Sequence, residues 1–199
     1  GAREVSQTLS FSAAGRLLDE DLEAHSYRDQ AVLRGGAAWR PRGEGVVVFN
    51  RLDLGHLNEA GVQDRGKIVN NLAVNAMLTP QTQLALYHGV KRVEIDFEGT
   101  RQTGITHLIG TEMRHDIHPQ IDLGIQATWS ASDASETGTW SFGPSVGFSP
   151  QSNLWLTLGW NVSGFEDDDF EAARNKAQGP YIKLRAKFDQ SSETKKPYR

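Results

Sequence analysis

No cysteine occurs among the 199 residues, which excludes a disulfide framework and any thiolate metal site. Long apolar runs are missing as well. The longest, Gly45 to Phe49, covers five residues against the ~20 that a membrane helix needs, and the mean hydropathy is −0.50. A helical membrane protein is therefore excluded, whereas a barrel of half-polar strands is not. The net charge is −4 and no basic stripe interleaves with aromatics, so nothing points to nucleic acid. Neither His-Glu-x-x-His nor a phosphate loop occurs. Nothing in the composition calls for a cofactor.

What is present is period-two alternation. Ten strands are expected, at about 5–14, 27–40, 46–55, 67–78, 82–91, 104–115, 121–130, 138–149, 154–163 and 179–188. In the seventh, Ile121, Leu123, Ile125, Ala127 and Trp129 alternate with Asp122, Gly124, Gln126, Thr128 and Ser130. In the ninth, Leu154, Leu156, Leu158, Trp160 and Val162 alternate with Thr157, Gly159, Asn161 and Ser163. The apolar set carries no Asp, Glu, Lys or Arg. Strand charges lie on the opposite face, among them Arg34, Arg51, Asp53, Glu112, Arg114, Asp122, Lys183 and Arg185. Two places strain the pattern. Pro144 falls inside a strand, where a bulge is expected, and Val93, Ile95 and Phe97 change parity relative to Leu84 and Leu86.

Connections alternate between tight turns at Pro41, Pro80, Pro119 and Pro150 and long polar loops at about 15–26, 56–66, 92–103, 131–138 and 165–178. These loops hold sixteen of the 25 acidic residues. A meander with chemically different ends, charge-free apolar faces and Trp39, Trp129, Trp140, Trp160, Phe148 and Phe188 near strand ends fits a transmembrane barrel with aromatic girdles. The expected fold is all-β: a closed antiparallel up-and-down transmembrane β-barrel of about ten strands, or twelve if Gly1 lies within a longer barrel. Residues 1–189 form the barrel and 190–199 a flexible polar tail. Gly1-Ala2-Arg3-Glu4 opens directly into a strand-like segment, as expected of a mature or excised fragment. A soluble lipocalin-like barrel would share the alternation with its faces reversed.

The chain's C-terminal part, Asn153-Leu154-Trp155-Leu156-Thr157-Leu158-Gly159-Trp160-Asn161-Val162-Ser163-Gly164-Phe165 followed by Gln178-Gly179-Pro180-Tyr181-Ile182-Lys183-Leu184-Arg185-Ala186-Lys187-Phe188-Asp189, resembles the C-terminal outer-membrane barrel regions of large proteobacterial surface proteins that carry Ig-like repeats. Phe49-Asn50-Arg51-Leu52-Asp53-Leu54 and Thr106-His107-Leu108-Ile109-Gly110 fit the same pattern. The resemblance implies a membrane anchor or translocation module for an upstream passenger. Implied partners are outer-membrane lipid and lipopolysaccharide, the barrel-assembly machinery and passenger domains. Ile182, Leu184, Ala186 and Phe188 resemble an assembly-signal strand. The implied location is the bacterial outer membrane, with long loops extracellular and termini periplasmic.

The charges of the polar face line a small channel in one reading and pair with one another in another. Asp167, Asp168 and Asp169, flanked by Glu166 and Glu171, form a Ca²⁺ candidate without EF-hand order; the plainer expectation is a solvated acidic loop. An outer-membrane protease would draw on His88, His107 or His115, but His88 and His107 fall on the apolar face. The expectation is no enzyme.

Overall fold

A computed structural model describes residues 2–6, 8–22, 26–59, 63–134, 137–151, 154–174 and 176–186. Eleven strands follow one another: β1 (Ala2–Ser6), β2 (Leu9–Leu22), β3 (Ser26–Trp39), β4 (Val46–Glu59), β5 (Gln63–Thr79), β6 (Thr82–Phe97), β7 (Thr100–His118), β8 (Ile121–Ser132), β9 (Thr137–Gln151), β10 (Leu154–Asn161) and β11 (Gly179–Ala186). They form one sheet in sequence order, each strand antiparallel to the next. The ten strands β2–β11 are the ten expected from the alternation. The expected strand at 5–14 is shared between two strands, the short β1 ending at Ser6 and β2 beginning at Leu9. Ala2 consequently pairs level with Ser12 instead of lying at the short-turn end, where both termini were expected. Among the described residues no ladder joins β1 to β11, so the closing pair of the expected barrel is not seen. Phe188 and the expected tail lie outside the described residues.

Which face is inside is settled by burial. Buried polar residues include Asn71, Gln126, Ser130, Ser141 and Asn161. Leu33, Leu123, Trp129, Trp140, Leu158 and Trp160 are exposed. A water-soluble sandwich or lipocalin-type barrel buries the second set and exposes the first. An outward apolar face over a polar interior is the architecture of a transmembrane β-barrel. Trp129 and Trp140 are direct cross-strand partners on β8 and β9, and with Trp160 they form part of an aromatic border. Trp39 and Phe148 lie toward the opposite border.

The long loops, however, are mostly not loops. β7 has 19 residues, whereas crossing the hydrocarbon takes roughly 9–11. The strands continue past the apolar band, leaving only 23–25 between β2 and β3 and 60–62 between β4 and β5. Between β6 and β7 stand only Glu98 (φ 50°) and Gly99 (φ 77°), the two left-handed positions of a type I′ hairpin. The charges that marked these segments as loops pair across strands: Arg101 with Glu94 at 3.3 Å and Asp96 at 3.7 Å, and Arg28 with Glu59 at 3.7 Å. Val93, Ile95 and Phe97 follow without a register break. Their parity change is a strand leaving the apolar band, where the outward positions become Arg92, Glu94 and Asp96.

The tight end follows the prolines at Pro80-Gln81 and Pro119-Gln120. Pro150 lies within β9. Pro144 pairs in register with Ile125 of β8. On the other side the β9–β10 ladder stops after Ser145 and resumes, displaced by one residue, at the Phe142–Ser163 bridge. That is the expected bulge, placed where proline has no N–H to offer.

Candidate functional site

One connection remains long. Residues 162–174 and 176–178, between β10 and β11, fold back between the walls of the sheet. Asp167 caps a turn by accepting from the Asp169 N–H at 3.0 Å, and Ala173 and Arg174 donate to the Phe170 carbonyl at 3.1 Å. This compact turn places Phe170 and Ala173 at 0% exposure, against Val69 of β5 and Leu108 of β7, with Tyr87 and Phe165 alongside. The solvated acidic loop expected from composition is instead a plug.

Sequence held a signal for it. Val69 and Leu108 are apolar side chains on the polar face, and between their strands β6 offers Gly89. A Cβ on Gly89 would lie 2.5 Å from Cδ1 and 2.6 Å from Cε1 of Phe170, so the missing side chain is the space the ring fills. Gly89→Ala is therefore expected to push the ring out of its seat and cost about 1–3 kcal/mol. Heat-modifiable gel mobility reads the loss, and the double change Gly89→Ala/Phe170→Leu should recover part of it.

Polar contacts complete the seat. Lys91 meets Asp167 at 2.5 Å and Asp169 at 3.3 Å, and its ammonium stands 5.2 Å from the Phe170 ring centroid. Lys67 meets Asp169 at 2.5 Å, and Arg51 pairs with Glu171. The Asn71 amide donates to the Asp169 carbonyl at 3.0 Å and accepts from the Glu171 N–H at 3.4 Å. At the neck, Asn161 donates to the Ala177 carbonyl at 2.9 Å, accepts from Gln126 at 2.7 Å, and Lys176 donates to Gln126. Asp167 and Asp169, two of the Ca²⁺ candidates, are thus committed to lysines; Asp168 lines a cavity beside the plug. Among the described residues no group of three or more acidic or histidine ligands gathers for a metal.

The charges expected on the inner face divide between two levels. Arg34 and Arg51 both reach Asp53, at 2.8 Å and 3.2 Å, and Arg51 ties this group to the plug. Toward the tight turns, Arg114 pairs with Glu112 at 3.2 Å and with Asp122. Gly124 and Gly147 leave room for its guanidinium, since a Cβ there would approach it to 3.4 Å and 2.5 Å. Lys183 and Arg185 lie on β11, with Arg185 stacked 4.9 Å from the Trp155 ring. Below the plug these residues border a vestibule of about 670 Å³. Of the assembly-signal residues, Ile182 and Leu184 point outward and are exposed.

His88 and His107 are exposed on the apolar-face register, and His115 hydrogen-bonds Thr82 at 3.0 Å near the Pro119 turn. Gly143-Pro144-Ser145-Val146-Gly147 spells Gly-x-Ser-x-Gly. It lies inside β9, with Ser145 facing Gly124 across the ladder, and not at the strand-to-helix elbow where that spelling exposes a nucleophile.

The Asp169 carboxyl, on the connection and not on a spanning strand, is held below the ordinary 3.8. Burial opposes its charge, but Lys67 and Lys91 outweigh burial. Its contribution to docking is full above the ordinary value and is lost as pH falls through the depressed one. Ion flow through the reconstituted barrel should stay flat from about pH 8 to 5 and rise only below about pH 4. A rise near neutrality would show that another group holds the plug.

Together these features define a membrane-spanning antiparallel β-barrel with a lumen filled by its own last connection. No family model matches the chain, and no curated protein matches it. Among solved structures it is similar to a Pseudomonas aeruginosa FadL homologue (6% identity, TM-score 0.42), covering 91% of this chain and 62% of that one. It is also similar to the NanC porin (8% identity, TM-score 0.43), covering 94% of this chain and 98% of that one.

Proposed function

We propose that this chain is an outer-membrane anchor or translocation module of a bacterial surface protein, sealed by residues 162–178, and not an enzyme. The observation that carries the reading is Phe170, fully buried inside the lumen with Asp167, Asp169 and Glu171 around it paired to the wall. A sealed lumen suits a barrel whose task is to hold a passenger without leaking solutes. In this reading the strand extensions and the β10–β11 neck face outward, and the Pro80 and Pro119 turns face the periplasm. Lipid and lipopolysaccharide contact the apolar face, and the barrel-assembly machinery inserts the chain through its last strand. Planar-bilayer recording of the chain should be electrically silent, and deleting residues 179–188 should abolish surface display. Stable conductance by the unaltered chain would overturn the anchor.

A second reading, a gated channel, has its own observation. The plug is held largely by ion pairs and stands over a polar vestibule of about 670 Å³. In that case the plug is a gate, and the unaltered chain conducts in bursts.

A further inference from the structure

Beside the plug, on the side of β3–β5, the inner wall leaves a cavity of about 190 Å³. Five cationic side chains line it: Arg34, Arg51, Arg65 and Lys67 from the wall, and Arg174 from the plug. Three carboxylates, Asp53, Asp168 and Asp169, answer them. Arg34 and Arg51 are engaged by Asp53, and Lys67 by Asp169. Arg65 and Arg174 are not: among the described residues neither has a carboxylate partner. The Arg65 Nε, like that of Arg51, is buried without a hydrogen-bond acceptor, and the exposed Arg174 donates to the Asp168 backbone carbonyl at 2.9 Å. A buried guanidinium N–H without an acceptor is costly, so the cavity is short of acceptors and carries excess positive charge.

We propose that this cavity is a binding site for a small dicarboxylate anion, which bridges Arg65 of the wall and Arg174 of the plug. Carboxylate is the matching chemistry because each guanidinium presents a planar fork of donors to two oxygens. Two such forks lining one cavity, one from the wall and one from the plug, call for two carboxylates on a short spacer. Size restricts the ligand further, since a cavity of about 190 Å³ admits only a small molecule. Because Arg174 belongs to the plug, the ligand binds only while the plug is seated and must stabilise that state. The inference holds whether the barrel anchors a passenger or gates a channel.

The lack of cysteine supplies the test. Ala173, a fully buried residue of the plug itself, is changed to Cys in the otherwise intact chain, and maleimide labelling is followed in lipid vesicles. Succinate at about ten times its dissociation constant should slow labelling roughly tenfold. Acetate or NaCl at equal ionic strength should not. Titration calorimetry of succinate into the unaltered chain gives the same site without the Cys change. Arg65→Gln and Arg174→Gln should each abolish the calorimetric signal, and Arg65→Lys should restore it only in part. Acceleration by succinate would show competition with the plug's carboxylates and overturn the proposal. So would equal slowing by acetate, absence of calorimetric heat, or binding that survives both glutamine changes.

Discussion

Excising residues 165–176 and joining Gly164 to Ala177 through a two-residue Gly-Ser turn should turn a silent barrel into an open, anion-selective pore. The neck makes the excision geometrically mild. A Cβ on Gly164 would sit 2.0 Å from the Lys176 carbonyl and 2.6 Å from the Ala177 carbonyl carbon, so the two ends already touch. Excision removes Phe170, Ala172 and Ala173 from the lumen and uncovers Val69 and Leu108. It also removes Asp167, Asp169 and Glu171, the partners of Lys91, Lys67 and Arg51. The wall at that level then carries Arg34, Arg51, Arg65, Lys67 and Lys91 against Asp53, and unpaired fixed charge of one sign attracts counter-ions of the other. Reversal potentials in a salt gradient read the selectivity. The milder triple change Asp167→Asn/Asp169→Asn/Glu171→Gln keeps the chain length and removes charge-assisted contacts worth about 1.5–3 kcal/mol each, so it should give intermittent opening. A closed barrel after excision would mean that side chains of the wall, and not the plug, fill the lumen.

The sheet was legible because a bilayer enforces alternation. Every outward position within the apolar band must be tolerable in hydrocarbon, so Ile121 to Trp129 and Leu154 to Trp160 read as strands at sight. Above the band that pressure ends. Glu94, Asp96 and Arg101 are charged on a face that alternation marks as apolar below, and the strands carrying them read as loops although their ladders continue. The plug was hidden for a different reason. Glu166 to Glu171 is an acidic run, and acidic runs are ordinarily solvated; the lysines that seat it lie about 75 to 100 residues away on β5 and β6. Val69, Gly89 and Leu108 on the inner face marked the place where it docks. The inward polar residues Thr128, Thr157 and Ser145 are buried, because the interior at their level is packed.

That packing decides where a new charge can be placed, and it sharpens the strongest test of the membrane assignment. Arginine at Leu123 or Ile109, which are 47% and 56% exposed on the outward face, enters hydrocarbon with no partner and should cost about 2–4 kcal/mol near mid-depth. The inner controls must have room, which excludes Thr128, Thr157 and Ser145. Asn75 and Gln83 qualify, since both are exposed and line the 670 Å³ vestibule, where a guanidinium stays hydrated. Urea unfolding from lipid vesicles, with heat-modifiable mobility as the folding signal, should show Leu123→Arg and Ile109→Arg strongly destabilised or unfolded. Asn75→Arg and Gln83→Arg should stay within about 0.5 kcal/mol of the unaltered chain, as surface substitutions do. In detergent-free buffer the order should vanish, because the unaltered chain itself does not fold without a bilayer to cover Leu123, Trp140 and Trp160. A chain that folds in water and tolerates arginine equally on both faces would place its apolar face against protein instead of lipid.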